Sequence, residues 1–359
     1  MSEIKKQEII RFSKSKKESK KILDSRLSAL NEFLECSNPV FGPDLKLDYS
    51  NIDYFEEQSI VKNKLETEEL IICDIHTALK EYKNIIDKYF KKLILDDENK
   101  FTMLNSVVWE NGTFVYICPG SKVNIPIEKL GFTRNLIIVD EKAELNYIDV
   151  DDSNKEMQVG VTEVFVLENA ICRYINIQRC STNTYNFSIK RFQVEENGKL
   201  DFINISAGSK INMSYPSIIL NGDNSKSTVT SIVLADKNQI LDEGIKILHL
   251  GCNTKSIVQS NNIVAHGGEA NYREIISIKK DSKESNSIIN NITTLFDERS
   301  KGDVASKNIV ENDSSEINNT NSYENMIGNK YNKNKCIRDF LKDLNISNDL
   351  IKCIKGLLK

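Results

Sequence analysis

The chain has 359 residues, a formal net charge of −4, 28% charged and 40% apolar residues. That is enough apolar material for a sizeable core, in about two domains or one elongated fold with appendages. The balanced charge gives no general attraction to nucleic acid or to an anionic membrane, and no apolar run reaches the roughly 18 residues of a membrane-spanning helix.

The opening stretch, MSEIKKQEIIRFSKSKKESKK, is charged where a secretion signal would carry an apolar segment, which places the protein in the cytoplasm. Residues 1 to 100 read as a helical region. Ile22-Leu23, Leu27, Leu30 and Phe33-Leu34 recur at helical spacing, and Asn38-Pro39 and Gly42-Pro43 interrupt them. A second helix is predicted from Asp74 to Leu95, with Ala78-Leu79, Tyr82, Ile85-Ile86 and Tyr89-Phe90 as its apolar stripe.

From Phe101 to about residue 300 the period changes. Short β-rich runs such as FVYI, NLIIVD, ICRYINIQ, KLDFINIS and GIKILHLG recur about every 8–12 residues, punctuated by Gly, Asn and Asp. That spacing allows a sandwich, a barrel or a solenoid. The scarcity of two-residue hairpin turns and the Asn-rich corners lean toward stacked coils. Residues 301–335 are rich in Asn, Ser and charge and poor in apolar side chains, so a disordered linker is expected. In residues 336–359, Phe340-Leu341, Leu344, Leu350-Ile351, Ile354 and Leu357-Leu358 predict two short amphipathic helices. Such helices are too short to stand alone and must pack on the end of the β-region or on another protein.

Eight cysteines are scattered without a C-x-x-C pair, which argues against a disulfide framework. Cys73-x-x-His76 and His249-x-x-Cys252 have ligand-like spacing but lie in different predicted regions, so no metal site is expected from them. Cys118, Cys180 and Cys252 read as packing residues. Ala265-His266-Gly267-Gly268 lacks the Lys-Ser/Thr of a phosphate loop and reads as a tight turn.

Several blocks together resemble one family. DIHTALKEYKNIIDKYFKKLI at Asp74–Ile94 and DENKFTMLNSVVWENGTFVYICPG at Asp97–Gly120 are followed in order by RNLIIVDEKAELNYID, ICRYINIQ, YNFSIKR, GSKINMSYPS, GIKILHLGCNT and FLKDLNISNDLIKCIKGLL. Their order and spacing resemble the SufB/SufD family of the SUF iron–sulfur cluster assembly system over roughly residues 70–300 and the last twenty. The resemblance implies a mainly β protein: a right-handed parallel β-helix between N-terminal and C-terminal α-helical segments. It also implies a non-enzymatic scaffold subunit that works with the ATPase SufC, with a SufD- or SufB-like partner subunit, and with a cysteine desulfurase system that supplies sulfur as persulfide. An iron–sulfur cluster would be transient cargo of the whole complex rather than a group held by this chain alone.

Within that resemblance Cys172, in ENAICRYINIQ, falls where the family has a sulfur-accepting cysteine. Arg173 is adjacent, but strand alternation sends it to the opposite face. The family's core cysteine falls where this chain reads Ile289-Asn290-Asn291-Ile292, and its Gly-His-Glu block is reduced to Gly328-Asn329-Lys330. Amide and ammonium groups are poor iron ligands. These departures raise a rival reading, a degenerate paralogue that binds SufC and holds no cluster. A β-helical carbohydrate-active protein is a remote third reading, disfavoured by the charged N-terminus.

Overall fold

The computed structural model describes residues 6–45, 64–129 and 133–344, together with positions 47, 49, 54, 351, 352, 354 and 355. Helices α1 (Lys6–Ser15) and α2 (Lys20–Glu35) come first. Strands β1 (Leu65–Glu66) and β2 (Leu70–Asp74) follow, then helices α3 (Ile75–Glu81), α4 (Lys83–Tyr89) and α5 (Lys100–Val108). The β-region comprises β3 (Thr113–Ile117), β4 (Lys122–Lys129), β5 (Thr133–Val139), β6 (Glu144–Asp151), β7 (Met157–Val166), β8 (Ile171–Gln178), β9 (Tyr185–Val194), β10 (Lys199–Ser206), β11 (Ile211–Ser214) and β12 (Ser217–Leu220). It continues through β13 (Lys226–Ala235), β14 (Ile240–His249), β15 (Lys255–Val264), β16 (Glu269–Ile278), β17 (Asn286–Leu295), β18 (Lys301–Val310) and β19 (Glu316–Asn325), before helix α6 (Lys333–Asp343). Among the described residues no helix is long and apolar enough to cross a membrane.

The strands alternate between two sheets. One runs β1-β2-β3-β5-β7-β9-β11-β14-β16-β18, with β12 also joining β9 and β14, and the other runs β19-β17-β15-β13-β10-β8-β6-β4. All pairings from β3 onward are parallel, whereas β1–β2 and β2–β3 are antiparallel. The result is a parallel β-solenoid of about seven coils. In the second sheet, strands begin at Ile171, Lys199, Lys226, Lys255 and Asn286, so one coil takes about 27 to 31 residues.

The corners explain the Asn-rich punctuation. Asn169, Asn197, Asn224 and Asn253 all have φ between 53° and 60°, in the left-handed region that Asn tolerates better than most residues. Each donates its backbone N–H to a carbonyl of the next coil, on Glu196, Asp223, Cys252 and Lys283, at 2.7–2.9 Å. The corner conformation therefore continues the stacking between coils. The Ala265–Gly268 segment is a turn of this kind, with His266 at φ 55° and Gly267 at φ 80°.

The N-terminal helices cover the outer face of the first sheet, where α2 and α5 share one apolar cluster with β7, β9 and β11. Buried Arg26 of α2 donates to Glu18 at 2.6 and 2.9 Å and to the carbonyls of Val107 and Trp109 at 2.9 Å. Its guanidinium also lies 4.4 Å from the Trp109 ring centroid. Buried Arg134 of β5 reaches Asp96, Ser106 and the Ile94 carbonyl at 2.7–3.1 Å. Burial works against the Asp96 charge, but Arg134 and Lys91 outweigh it and hold the carboxyl well below its ordinary range.

Four sequence expectations are corrected. Residues 100–108, at the start of the span expected to be solenoid, form a helix, because Asn99 caps it in a reciprocal capping box with Thr102 and Phe101, Leu104, Val107 and Val108 lie buried at helical spacing. The expected N-terminal helical region contains β1 and β2, and the expected helix from Asp74 to Leu95 divides at Tyr82, whose φ of −115° and ψ of 42° are not helical. The expected linker at 301–335 is largely ordered as β18 and β19, which continue the ladders of β16 and β17. Its few apolar residues suffice because a preformed edge supplies backbone partners, while Val304 and Ile317 pack against the core. Finally, α6 packs along the outer side of the second sheet, not on its end: Ile337, Phe340 and Leu341 meet Ile148, Ile175, Ile203 and Ile205. The second C-terminal helix lies mostly outside the described residues.

Close approach of coils makes Gly244 indispensable. It pairs with Arg273 and lies opposite the Tyr215-Pro216 break between β11 and β12. A Cβ there would stand 1.8 Å from the Arg273 carbonyl oxygen. Gly244→Ala should cost at least about 2–3 kcal/mol in urea unfolding. Gly120→Ala, where φ is +74° but nothing lies within 4 Å, should cost only about 1 kcal/mol. Equal effects would show that the inter-coil contact is not limiting.

Candidate functional site

Strand alternation sends every second side chain of the second sheet into the solenoid, and stacking aligns these into columns. The column containing the candidate thiol runs Leu145, Cys172, Leu200, Ser227, Ser256 and Ser287 in register. Cys172 is 0% exposed and belongs to an apolar cluster with Tyr147, Tyr174 and Phe202. Burial, with a smaller contribution from the Asp201 charge, pushes its thiol far above the ordinary value. Arg173 points outward and pairs with Asp201 at 2.6 Å, as alternation requires, so it does not sit beside the thiol.

A neighbouring column is polar: Asp149, Asn176, Asn204, Ser231, Ser260, Asn291 and Asn321 are in register across seven strands. Asn176 donates to Asn204 at 2.9 Å, and Asn204 donates to Ser231 at 3.1 Å. Ser260 donates to Asn291 at 2.6 Å, and Asn291 to Asn321 at 2.9 Å. Ionisable groups from the facing sheet complete it. Lys190 lies 3.3 Å from Asp151 and 3.7 Å from Asp149. Burial opposes the Lys190 charge, but the two aspartates outweigh it and raise its pKa. Glu243 accepts from Asn204 at 2.8 Å and from Asn212 at 2.5 Å, and burial raises its carboxyl. Glu274 accepts from Asn291, Ser306 and Asn319 at 2.5–3.0 Å.

Sequence reasoning missed this column. Its signal was present as a long-period repeat: Tyr147-Ile148-Asp149, Tyr174-Ile175-Asn176 and Phe202-Ile203-Asn204 recur one coil apart. In each, the aromatic and the polar residue face inward while the isoleucine faces outward beneath α6.

The remaining candidates stay apart. Buried His249 hydrogen-bonds Thr254 at 2.8 Å and Ser256 at 3.0 Å inside the solenoid, and burial lowers its pKa to about 4. Cys252 sits in the following turn, with its thiol 3.2 Å from the Asp281 carbonyl. His76 lies on α3, 2.9 Å from the Glu110 carbonyl and stacked on Trp109 at 4.8 Å. The Cys73/His76 and His249/Cys252 pairs therefore do not converge, and no group of three or more potential metal ligands occurs among the described residues. Cys118 and Cys180 fall on other coils. The seven described cysteines are all free thiols, and Cys353 lies outside the described residues. Gly328-Asn329-Lys330 is an exposed segment after β19.

Residues 123–322 match the SufBD core domain of SUF system FeS cluster assembly, and residues 25–128 match the SufBD protein N-terminal region. The chain belongs to the SufBD family. It is 31% identical to the iron–sulfur cluster assembly protein SufB of Bacillus subtilis (strain 168) over 362 aligned positions, covering 84% of this chain and 78% of that protein. Similarity to an iron–sulfur cluster assembly SufBD family protein of Staphylococcus epidermidis (strain ATCC 12228 / FDA PCI 1200) is 31%, over 85% of this chain and 78% of the relative. A SufBD family protein of Staphylococcus haemolyticus is 30% identical over 84% and 78%. The SufBD core match ends at residue 322, inside β19, so it takes in most of the segment whose composition suggested a linker.

The placement of the SufBD cysteines gives a direct test by alkylation of the native chain followed by peptide mass mapping. Buried Cys73, Cys172 and Cys180 should remain unmodified, while the partly exposed Cys36, Cys118, Cys252 and Cys336 react. Denaturant should make all of them reactive. Native modification of Cys172 at the rate of Cys118 would mean that the solenoid opens readily.

Proposed function

We propose that this chain is a platform subunit of SUF iron–sulfur cluster assembly, without catalytic chemistry of its own, that docks a SufC-like ATPase through α6. The observation that carries the reading is the ordered match of both SufBD regions across residues 25–322, among relatives named for iron–sulfur cluster assembly. Helix α6 supports the docking role. Its apolar residues are engaged with the solenoid, while Lys335, Arg338 and Lys342 face outward.

In this reading Cys172 relays sulfur received from a cysteine desulfurase system. Its sulfur attacks the outer sulfur of a donor persulfide as its proton passes to the departing donor sulfur; the donor S–S bond breaks, a new S–S bond forms on Cys172, and the donor leaves as a thiol. The surrounding apolar cluster then keeps the persulfide from water. A SufB- or SufD-like partner subunit finds a docking edge at β18 and β19, the terminal strands of their sheets. The protein works in the cytoplasm, and the cluster is cargo of the complex.

Co-expression with the cognate SufC-like ATPase tests this. Arg338→Glu with Lys342→Glu should reduce ATPase capture at least about tenfold, since reversing docking charges replaces attraction with repulsion, and should leave unfolding unchanged. Unaltered capture would remove α6 as the dock. Failure of the unaltered chain to capture the ATPase would remove the whole reading.

A second reading, a partner subunit that binds the ATPase and holds no cluster, is favoured by Asn291. Within Ile289-Asn290-Asn291-Ile292, the stretch where the family's core cysteine falls, this side chain is already engaged by Ser260, Glu274 and Asn321. On this reading, anaerobic reconstitution of the chain with iron and sulfide yields no sulfur-to-iron charge-transfer absorbance. A reproducible cluster lost on Cys172→Ser would refute it and restore a full scaffold role.

A further inference from the structure

Outside the solenoid, the α1–α2 turn and the start of α2 face α3 and α4 across a cavity of about 650 Å³. Its border carries Lys16, Lys17, Lys21, Lys80 and Lys92. Among the described residues none of these five is ion-paired with a carboxylate. Two acids line the cavity as well: Glu18 accepts both bonds from Arg26, and Asp87 pairs with Lys83 and, more weakly, feels the charges of Lys21 and Lys92. A chain of net charge −4 thus gathers seven lysines against two carboxylates around one concavity. Mutual repulsion opposes such a gathering, and an anion relieves it.

The rest of the lining is mixed: Glu18, Ser19, Ser25, Lys83, Asp87 and Lys91 lie among apolar side chains. Ile22, Leu79, Ile86 and Phe90 form one wall, and His76, stacked on Trp109, lies beside it. The volume lies within the roughly 300–1,000 Å³ of small-molecule sites. Lys80 crosses from α3 to the Lys16 carbonyl at 3.4 Å, bridging the two sides of the cavity. The rim offers compact ammonium charges and no guanidinium fork, chemistry suited to phosphate oxygens.

We propose that this cavity binds a small organic phosphate, with its phosphate groups on the lysine rim and its apolar or ring portion against Ile22, Leu79 and Phe90. The site is distinct from the solenoid interior and independent of the role proposed for Cys172.

The full chain supplies its own reporter, because Trp109 is its single tryptophan and stacks on a lining residue. ADP, inorganic pyrophosphate and adenosine are titrated at low and high salt, read by tryptophan fluorescence and calorimetry. ADP should bind saturably and more weakly as salt rises, pyrophosphate should bind less tightly, and adenosine should not saturate. Lys21→Glu with Lys80→Glu should weaken ADP at least about tenfold, the loss expected when two charge contacts become repulsive. The solenoid control Lys237→Glu with Lys255→Glu should leave it unchanged. Leu79→Ala should weaken ADP and spare pyrophosphate. The proposal is overturned if neither phosphate binds, if the control pair weakens binding as much as the rim pair, or if a glutamate-rich peptide displaces ADP as effectively as pyrophosphate does.

Discussion

Everything in this protein depends on the parallel backbone ladder between successive coils. Each strand from β3 onward finds its partners about one coil away in sequence, so its N–H and C=O groups are satisfied only when the neighbouring coil is in place. The ladder fixes register without slippage, since a one-residue shift would exchange the inward and outward faces of a strand. It also sets the tolerance for side chains at close approaches, as at Gly244, and it requires the left-handed corners occupied by Asn169, Asn197, Asn224 and Asn253.

The interior that this register creates is not a uniform hydrocarbon. Apolar columns lie beside the polar column from Asp149 to Asn321, and the buried charges of Lys190, Glu243 and Glu274 meet it from the opposite sheet. Burying such groups is costly unless they are paired and hydrogen-bonded, and here each meets partners from several coils. Misregister would leave these groups unsatisfied, so the polar column reinforces the register that the backbone ladder sets. At the other end of the chain the same logic applies to Arg26 and Arg134, which fasten the helical region to the first coils through carbonyls and carboxylates.

The proposed roles divide between the inside and the outside of this stack. Cys172 is held where an apolar lining disfavours the thiolate, so any sulfur chemistry there needs a donor that reaches it and an environment that protects the product. The outward faces carry the charged features: the exposed cations of α6, the open edges of β18 and β19, and the lysine-rimmed cavity beneath α1 and α2. A rigid stacked core allows these surfaces to be presented at fixed separations.

The sequence by itself determined the β-rich class, the helical character of much of the flanking segments, the outward turn of Arg173 and the SufBD family through its ordered blocks. Those properties are local or collinear: alternation, helical spacing and block order survive without knowledge of long-range contacts. Only the tertiary structure decided that residues 301–325 form coils, because a composition poor in apolar residues can still add to an existing edge. It also decided the polar column, since Asn176, Asn204 and Asn291 become neighbours of other polar groups only when residues a coil apart are stacked. The capture of α6 by the side of the second sheet was likewise invisible. Amphipathic spacing says that a face must be covered, and the choice of cover lies in which surface the stacked isoleucines of β6, β8 and β10 present.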